Sequence, residues 1–347
     1  MTDEPLRDLT YPWGRTTAPA GASPLEVAPG VHWARFPMPG SLDHINLWLL
    51  EDGEGWTIVD TCLDLPASRE LWEQLFAGFM GARPVTQVIC THLHPDHVGL
   101  AGWLCERFGS ELLMTRDEFL TCKTLLASVG KTVPKSALGF YRAAGYSQRE
   151  LEDLERRFAG FGAAVHPLPD RYRRLVAGEE LCIGDNRWQV VVGNGHSPEH
   201  ACLYCPALKL LISGDQVLPN ITSNVSVLPL EPHANPLRDW LDSCRRLRQT
   251  LPSDLLVLPA HEFPFRGLEL RLTQLIDSHE SDLRSLWDFL DTPKRVVDCF
   301  PVLFKREVHG SQKGMATGEA LAHLNYLADM KQLNRITDDE GVHWYSR

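Results

Sequence analysis

Residues Val88–Gly99 read VICTHLHPDHVG. Three of the chain's 14 histidines, His92, His94 and His97, fall within this short run, with Asp96 among them. The apolar VTQVIC just before it predicts a buried strand, which places the cluster in a loop at that strand's carboxyl end. Pro95 stiffens the loop, and Gly99 is expected to let the chain turn away. A lone histidine is a metal ligand in roughly one case in ten, the rest being ordinary core or surface residues. His32, His44, His166, His279, His309, His323 and His343 are read in that ordinary way. The cluster is different, because imidazole and carboxylate are the groups that zinc and similar divalent ions prefer. His92, His94, Asp96 and His97 are too many for one tetrahedral ion that must also keep a water. Two ions sharing the loop are therefore expected.

Further ligands should also stand where strands end. His196 follows a strand in VVVGNGHSPEH, Asp215 follows Gly214 in LLISGDQ, and His261 closes LLVLPAHE. Asp60 ends WTIVD in the same manner, although a helix cap for the next segment is its plainer reading. His200, four residues after His196, either supports that loop or lies on the surface.

The rest of the chain supplies a scaffold of ordinary kind. Its 347 residues can bury a large core, and 44% hydrophobic with 23% charged content is that of a globular protein. A net charge of -11 argues against nucleic acid or an anionic membrane as the default partner. With no apolar run at the start or long enough to span a bilayer, and scattered cysteines, a cytoplasmic protein with reduced thiols is expected. Cys202 and Cys205 lie in ACLYCPALKLLIS, which reads as one strand, so they should face opposite ways as core residues. Strands VHWARF, INLWLLE, GWTIVDT and TQVICTH follow a Pro- and Gly-rich arm over residues 1–30. The helix in DLPASRELWEQLFAGF is expected to bury Leu71, Leu75 and Phe79. Residues 116–174 form a mostly helical insertion after the strand ELLMT. Strands then resume, Asn235 and Pro236 cap a helix with apolar face Leu237, Trp240, Leu241, Cys244 and Leu247, and LELRLTQLIDSHESDLRSLWDFL makes a long helix. This order suggests α/β layering with two sheets.

At this point the chain resembles the metallo-β-lactamase fold superfamily, through Asp60, HLHPDH, His196 in GHSPEH, Asp215 in SGDQ, and His261. The resemblance implies a four-layer αββα sandwich over residues 31–288. It also implies that His92, His94 and His196 hold one metal, that Asp96, His97 and His261 hold the other, that Asp215 bridges them, and that Asp60 lies behind as a support. The ions would be zinc, with iron or manganese as alternatives. A metal-bridging hydroxide would attack an ester-like bond, with Asp96 and Asp215 orienting it and collecting its proton. The β-lactamases of this fold lack the bridging aspartate, and flavodiiron oxidoreductases place a glutamate where His94 stands. A thioesterase acting on glutathione or coenzyme A thioesters is the reading preferred here. A phosphodiesterase or nuclease, a lactonase, and a mononuclear-iron persulfide dioxygenase are the alternatives.

Residues 289–347 resemble the small winged-helix domain appended to some members. Eight basic residues balance eight acidic ones over 291–347, and the wing tip Asp338, Asp339, Glu340 would repel phosphates. A tail that packs or supports a homodimer is expected, not one that binds nucleic acid. The insertion carries eleven basic against seven acidic residues, a surplus of four. Within it, Lys131, Lys135, Tyr141 and Arg142 are expected to line the entrance for an anionic small-molecule substrate.

Overall fold

The structure is a computed structural model that describes residues 9–157, 161–304, 307–308, 310 and 312–347. Residues 1–8 of the N-terminal arm and His309 lie outside the described residues.

One mixed sheet is built in chain order from β1 (Leu25–Ala28), β2 (Val31–Pro37), β3 (His44–Asp52), β4 (Gly55–Val59), β5 (Val85–Ile89), β6 (Glu111–Met114) and β7 (Arg173–Arg174). The second runs in reverse order from β13 (Phe265–Arg266) through β12 (Leu256–Pro259), β11 (Leu210–Gly214), β10 (His200–Cys205) and β9 (Asn186–Gly193) to β8 (Glu180–Ile183). Helices α1 (Pro66–Ala77), α3 (Ala101–Phe108) and α4 (Arg116–Leu126) cover the first sheet, with the short α2 (Pro95–Val98) before α3. The insertion continues as α5 (Lys135–Ala143) and α6 (Gln148–Arg157). The second sheet is covered by α7 (Pro236–Thr250) and α8 (Leu268–Phe289), on which the short α9 (Phe300–Phe304) and α10 (Gln312–Asp329) pack. A hairpin of β14 (Asn334–Thr337) and β15 (His343–Ser346) ends the chain.

The residues themselves dictate four layers. In β3, Ile45, Leu47 and Leu49 pack towards α1 and α3, while Trp48 and Leu50 pack against the other sheet. A strand covered on both faces reads as a nearly continuous apolar run, and β3 does. Between the sheets Trp33, Trp48, Trp188, Leu203, Ile212 and Leu258 form a dry layer. Asn46 stitches that layer near one end: it accepts from the Trp33 indole at 2.8 Å and donates to the Pro259 carbonyl at 2.9 Å. The α7 helix buries Leu237, Trp240, Leu241, Cys244 and Leu247, and the Asn235 side chain accepts from Arg238 N–H at its start.

Two local readings need correction. The α1 helix ends at Ala77, so Phe79 lies past its end and is 36% exposed; Trp72, Leu75 and Phe76 form the inward face. Trp72 is held there because its indole donates to the Thr61 carbonyl at 3.0 Å and its ring packs on Phe36 and Phe76. The segment ACLYCPALKLLIS is not one strand but the hairpin β10–β11, with Cys205 opposite Leu210. Cys202 and Cys205 still point apart, one towards the α7 side and one between the sheets. The arm's described part is tied down, with Leu9 in the core, Thr10 paired to Arg266, and β1 paired to β2.

The α1 register predicts that Trp72→Ala destabilises by about 3–5 kcal/mol, the usual cost of emptying a large core site. Phe79→Ala should cost markedly less. Equal shifts of the urea midpoint for the two variants would contradict this packing.

Candidate metal centre

All seven candidate ligands meet at one end of the sandwich, where β5, β9, β11 and β12 stop. The first loop is held by α2, with His94 at its N-cap and Pro95 at the first helical position. Gly99 has ordinary right-handed helical torsions and is not the turn device the sequence suggested. A side chain there would collide with the Cys62 carbonyl, so glycine is required by close packing.

Hydrogen bonds made at the back of four of the five imidazoles, His92, His97, His196 and His261, decide which nitrogen faces the centre. His196 donates through Nδ1 to the Asn224 carbonyl at 2.7 Å, leaving Nε2 as a lone pair. Thr91 gives its hydroxyl proton to Asp60, so its oxygen can accept from His92 Nδ1 at 3.1 Å. His92 Nε2, His94 Nδ1 and His196 Nε2 then form a triangle with edges of 2.8, 3.0 and 3.2 Å. Two of its corners are unprotonated nitrogens, so hydrogen bonds cannot satisfy all three edges.

The second set repeats the pattern. His97 donates through Nδ1 to Asp60 Oδ2 at 2.8 Å, and His261 through Nδ1 to the His44 carbonyl at 2.8 Å. Their Nε2 atoms face Asp96 Oδ2 at 3.6 and 3.4 Å and Asp215 Oδ1 at 3.5 and 3.3 Å. His97 Nε2, His261 Nε2 and Asp215 Oδ1 are buried and make no aligned hydrogen bond. Lone pairs converging on carboxylate oxygens repel unless a cation sits among them, so both sets fit metal ions. The carboxylates call for positive charge at this place: burial alone would lower both pKa values, yet Asp60, Asp96 and Asp215 raise that of His97 well above the ordinary value, and Asp215 and Asp96 raise that of His261, so each Nε2 favours either a proton or a metal ion. His92 and His94 are held neutral by burial and by their imidazole neighbours.

Asp215 joins the two sets. Its Oδ2 lies 3.3 Å from His196 Nε2 and 4.0 Å from His92 Nε2, while Oδ1 serves the His97 and His261 side. His200 positions it: His200 Nε2 accepts from the Asp215 backbone N–H at 3.1 Å, and the ring stacks on His92. Gly214 has φ +50°, and a Cβ there would lie 2.6 Å from the His200 ring. Asp60 has φ +62° and accepts from Thr91 and His97; the N-cap of α1 is Leu65, so Asp60 caps no helix. His94, Asp96 and His196 are only partly buried, and the centre opens on their side.

Sequence reasoning missed Glu118. This carboxylate, fully buried in α4, accepts from Leu93 N–H at 2.9 Å, Ser197 Oγ–H at 2.5 Å and Glu199 N–H at 2.8 Å. It ties the loop of His92 and His94 to the loop of His196, and burial pushes its pKa up to about 7 against those donors. No local signal marks it, because an acidic residue in a helix's first turn is ordinary. His44 was passed over too, yet its carbonyl holds His261 and its Nε2 accepts from Glu262 N–H at 2.8 Å. Of the entrance residues, Lys131, Lys135 and Arg142 are exposed. Tyr141 is partly buried beside Phe140 and Tyr146, packed against the core that α10 shares.

Comparison with known proteins gives a consistent picture. The Metallo-beta-lactamase superfamily model matches residues 40–261, and the model of the Metallo-beta-lactamase-like C-terminal domain matches residues 283–347. The probable metallo-hydrolase YqjP of Bacillus subtilis is 23% identical over 89% of this chain and 96% of its own. The human acyl-coenzyme A thioesterase MBLAC2 is 26% identical over 73% of this chain and 84% of its own. A beta-lactamase domain protein from Burkholderia ambifaria superposes with a TM-score of 0.91, at 42% identity and 98% coverage of both chains. The metallo-beta-lactamase family protein TTHA1429 from Thermus thermophilus gives 0.78 at 27% identity, covering 93% of this chain and all of that one.

Asp215→Ala should weaken both ions together, whereas His196→Ala should weaken one, as read by elemental analysis after chelator competition. Glu118→Ala strands three buried donors, and a loss of metal affinity of about 10–100-fold is expected, the usual effect of removing a partner behind the ligands. Unchanged affinity in Glu118→Ala would remove it from the centre.

Proposed function

The chain belongs to the metallo-beta-lactamase superfamily and is a metal-dependent hydrolase; from that premise we propose that it cleaves thioesters at a dinuclear centre. The observation that carries the dinuclear reading is the division of Asp215, one oxygen to each ligand set. His92, His94 and His196 would hold the first ion and Asp96, His97 and His261 the second. Zinc is the ion such nitrogen- and oxygen-rich sets favour. When bound, the pair of ions supplies Lewis acidity to a carbonyl and makes water acidic enough to attack near neutral pH.

The chain's own residues do the rest. Asp96 stands at the partly open side, where its carboxylate can orient an attacking water and take its proton. Burial would raise the pKa of Asp96, but His97 and His261 hold it below the ordinary carboxylate range, so it stays an acceptor. Asp215 is kept ionised in the same way, by His261 and His97 against its burial. Asp60, His44 and the Asn224 carbonyl hold the imidazoles so that no reorganisation is needed when the substrate arrives.

Two observations favour a small anionic thioester. The human relative named above is an acyl-coenzyme A thioesterase. Lys131, Lys135 and Arg142 of the insertion are exposed cations available to an anionic substrate. We read the tail as a winged-helix-like packing module on which two copies can pair, and not as a nucleic-acid reader. Its hairpin tip, Asp338, Asp339 and Glu340, is exposed and acidic. The setting we propose is the cytoplasm, which suits cysteines that are all free and, but for Cys182, buried. No helix among the described residues is long and apolar enough to cross a membrane.

The purified protein, stripped by a chelator and reloaded with zinc, should hydrolyse coenzyme A or glutathione thioesters faster than lactones or phosphodiesters. Replacing Lys131, Lys135 and Arg142 together with alanine should lower kcat/KM for an anionic thioester and spare a neutral one, and salt should shrink the difference. A preference for phosphodiesters, or one bound iron with oxygen-dependent turnover, would overturn the thioesterase reading.

A further inference from the structure

A second place in the fold shows the same arrangement of facing imidazole nitrogens as the catalytic centre. His279 on α8 and His323 on α10 are both fully covered, 2% and 1% exposed, where those helices pack. His279 Nδ1 lies 3.4 Å from His323 Nε2, and the rings are 5.4 Å apart. Asp282 stands three residues after His279, on the same face of α8, and all three side chains offer a ligand atom within 4.8 Å of one another.

The protons do not resolve this contact. His323 donates through Nδ1 to the Glu319 carbonyl at 2.8 Å, so its Nε2 presents a lone pair to His279. If His279 carries its proton on Nδ1, it makes one long hydrogen bond and leaves Nε2 as a buried acceptor with no partner. If it carries the proton on Nε2, a buried donor has no partner and two lone pairs face each other at 3.4 Å. A buried polar group left unpaired costs about 1–3 kcal/mol, so either state is unfavourable as protein alone. A cation between the rings removes the lone-pair repulsion of the second state. The spacing suits one, since two nitrogens each about 2.0–2.1 Å from a tetrahedral zinc ion are about 3.3–3.4 Å apart. Burial holds both imidazoles neutral, at about 3 for His279 and about 4 for His323, and neutral is the ligating form. The Glu319 carbonyl orients His323 from behind, as partners of metal-bound histidines do.

We propose that His279, Asp282 and His323 form a structural site for a zinc-like divalent ion that pins α10 to α8, with water entering beside the partly buried Asp282 as fourth ligand. The site is separate from the hydrolytic centre and is not needed for its chemistry. Protein equilibrated with excess zinc and desalted should carry three metal ions per chain by elemental analysis. Asp282→Asn and His279→Leu should each carry two and keep their thioester hydrolysis. Crystals of the zinc-loaded wild type should show an anomalous peak at the zinc edge between His279 and His323, a readout that needs no variant to fold. An ion count left unchanged in both variants, or no anomalous peak between the rings, would each overturn the proposal, whereas a total of two with the peak present would count against the dinuclear reading alone.

Discussion

Asp60 accepts the Nδ1 proton of His97 and both the hydroxyl and the backbone proton of Thr91, from a fully buried position at the end of β4. Because Thr91 has given its proton to Asp60, its oxygen is free to receive one from His92. One carboxylate therefore sets the tautomer of a ligand in each set, and so the direction of both lone pairs. The backbone at Asp60 is left-handed, at a cost of about 1–3 kcal/mol that the surrounding structure must offset. Aspartate tolerates that conformation better than most residues, and its side chain is short enough to reach back under the loop.

The grouping of the candidate ligands was legible because they share one context: each follows an apolar run, and each is a residue type that seldom crowds a strand end without cause. The helical layer was legible where the pattern was long, as in α7 and α8. It failed in α1, where Leu71, Leu75 and Phe79 fit the helical period but the chain leaves the helix before Phe79. Periodicity carries no stop signal, and Gly78 was its only local sign. The Cys205–Leu210 turn was missed because Pro206, Ala207, Leu208 and Lys209 interrupt the apolar run too weakly to mark a hairpin.

What lay outside sequence reasoning is what acts through the backbone or across long separations. The groups behind His196 and His261 are carbonyls, of Asn224 and His44, and a carbonyl belongs to every residue type alike. Glu118 reaches partners 25 and 79–81 residues away. Within the insertion, Tyr146 bonds Thr317 of α10 at 3.0 Å and carries Lys313 over its ring, with Tyr141 packed beside it.

That contact is one of several through which α10 reaches towards the hydrolytic end of the molecule. Glu319 accepts from the Asn224 side chain at 2.8 Å, Gly318 accepts from Val227 N–H at 3.0 Å, and the Asn224 carbonyl holds His196. The tail and the body match separate family models, which suggests units that recombination could exchange. Here they share a wall. A tail grafted from a distant relative would change what holds the Asn224 loop behind His196, so the two regions are bound to drift together, each substitution in α10 limiting which loops the body can inherit.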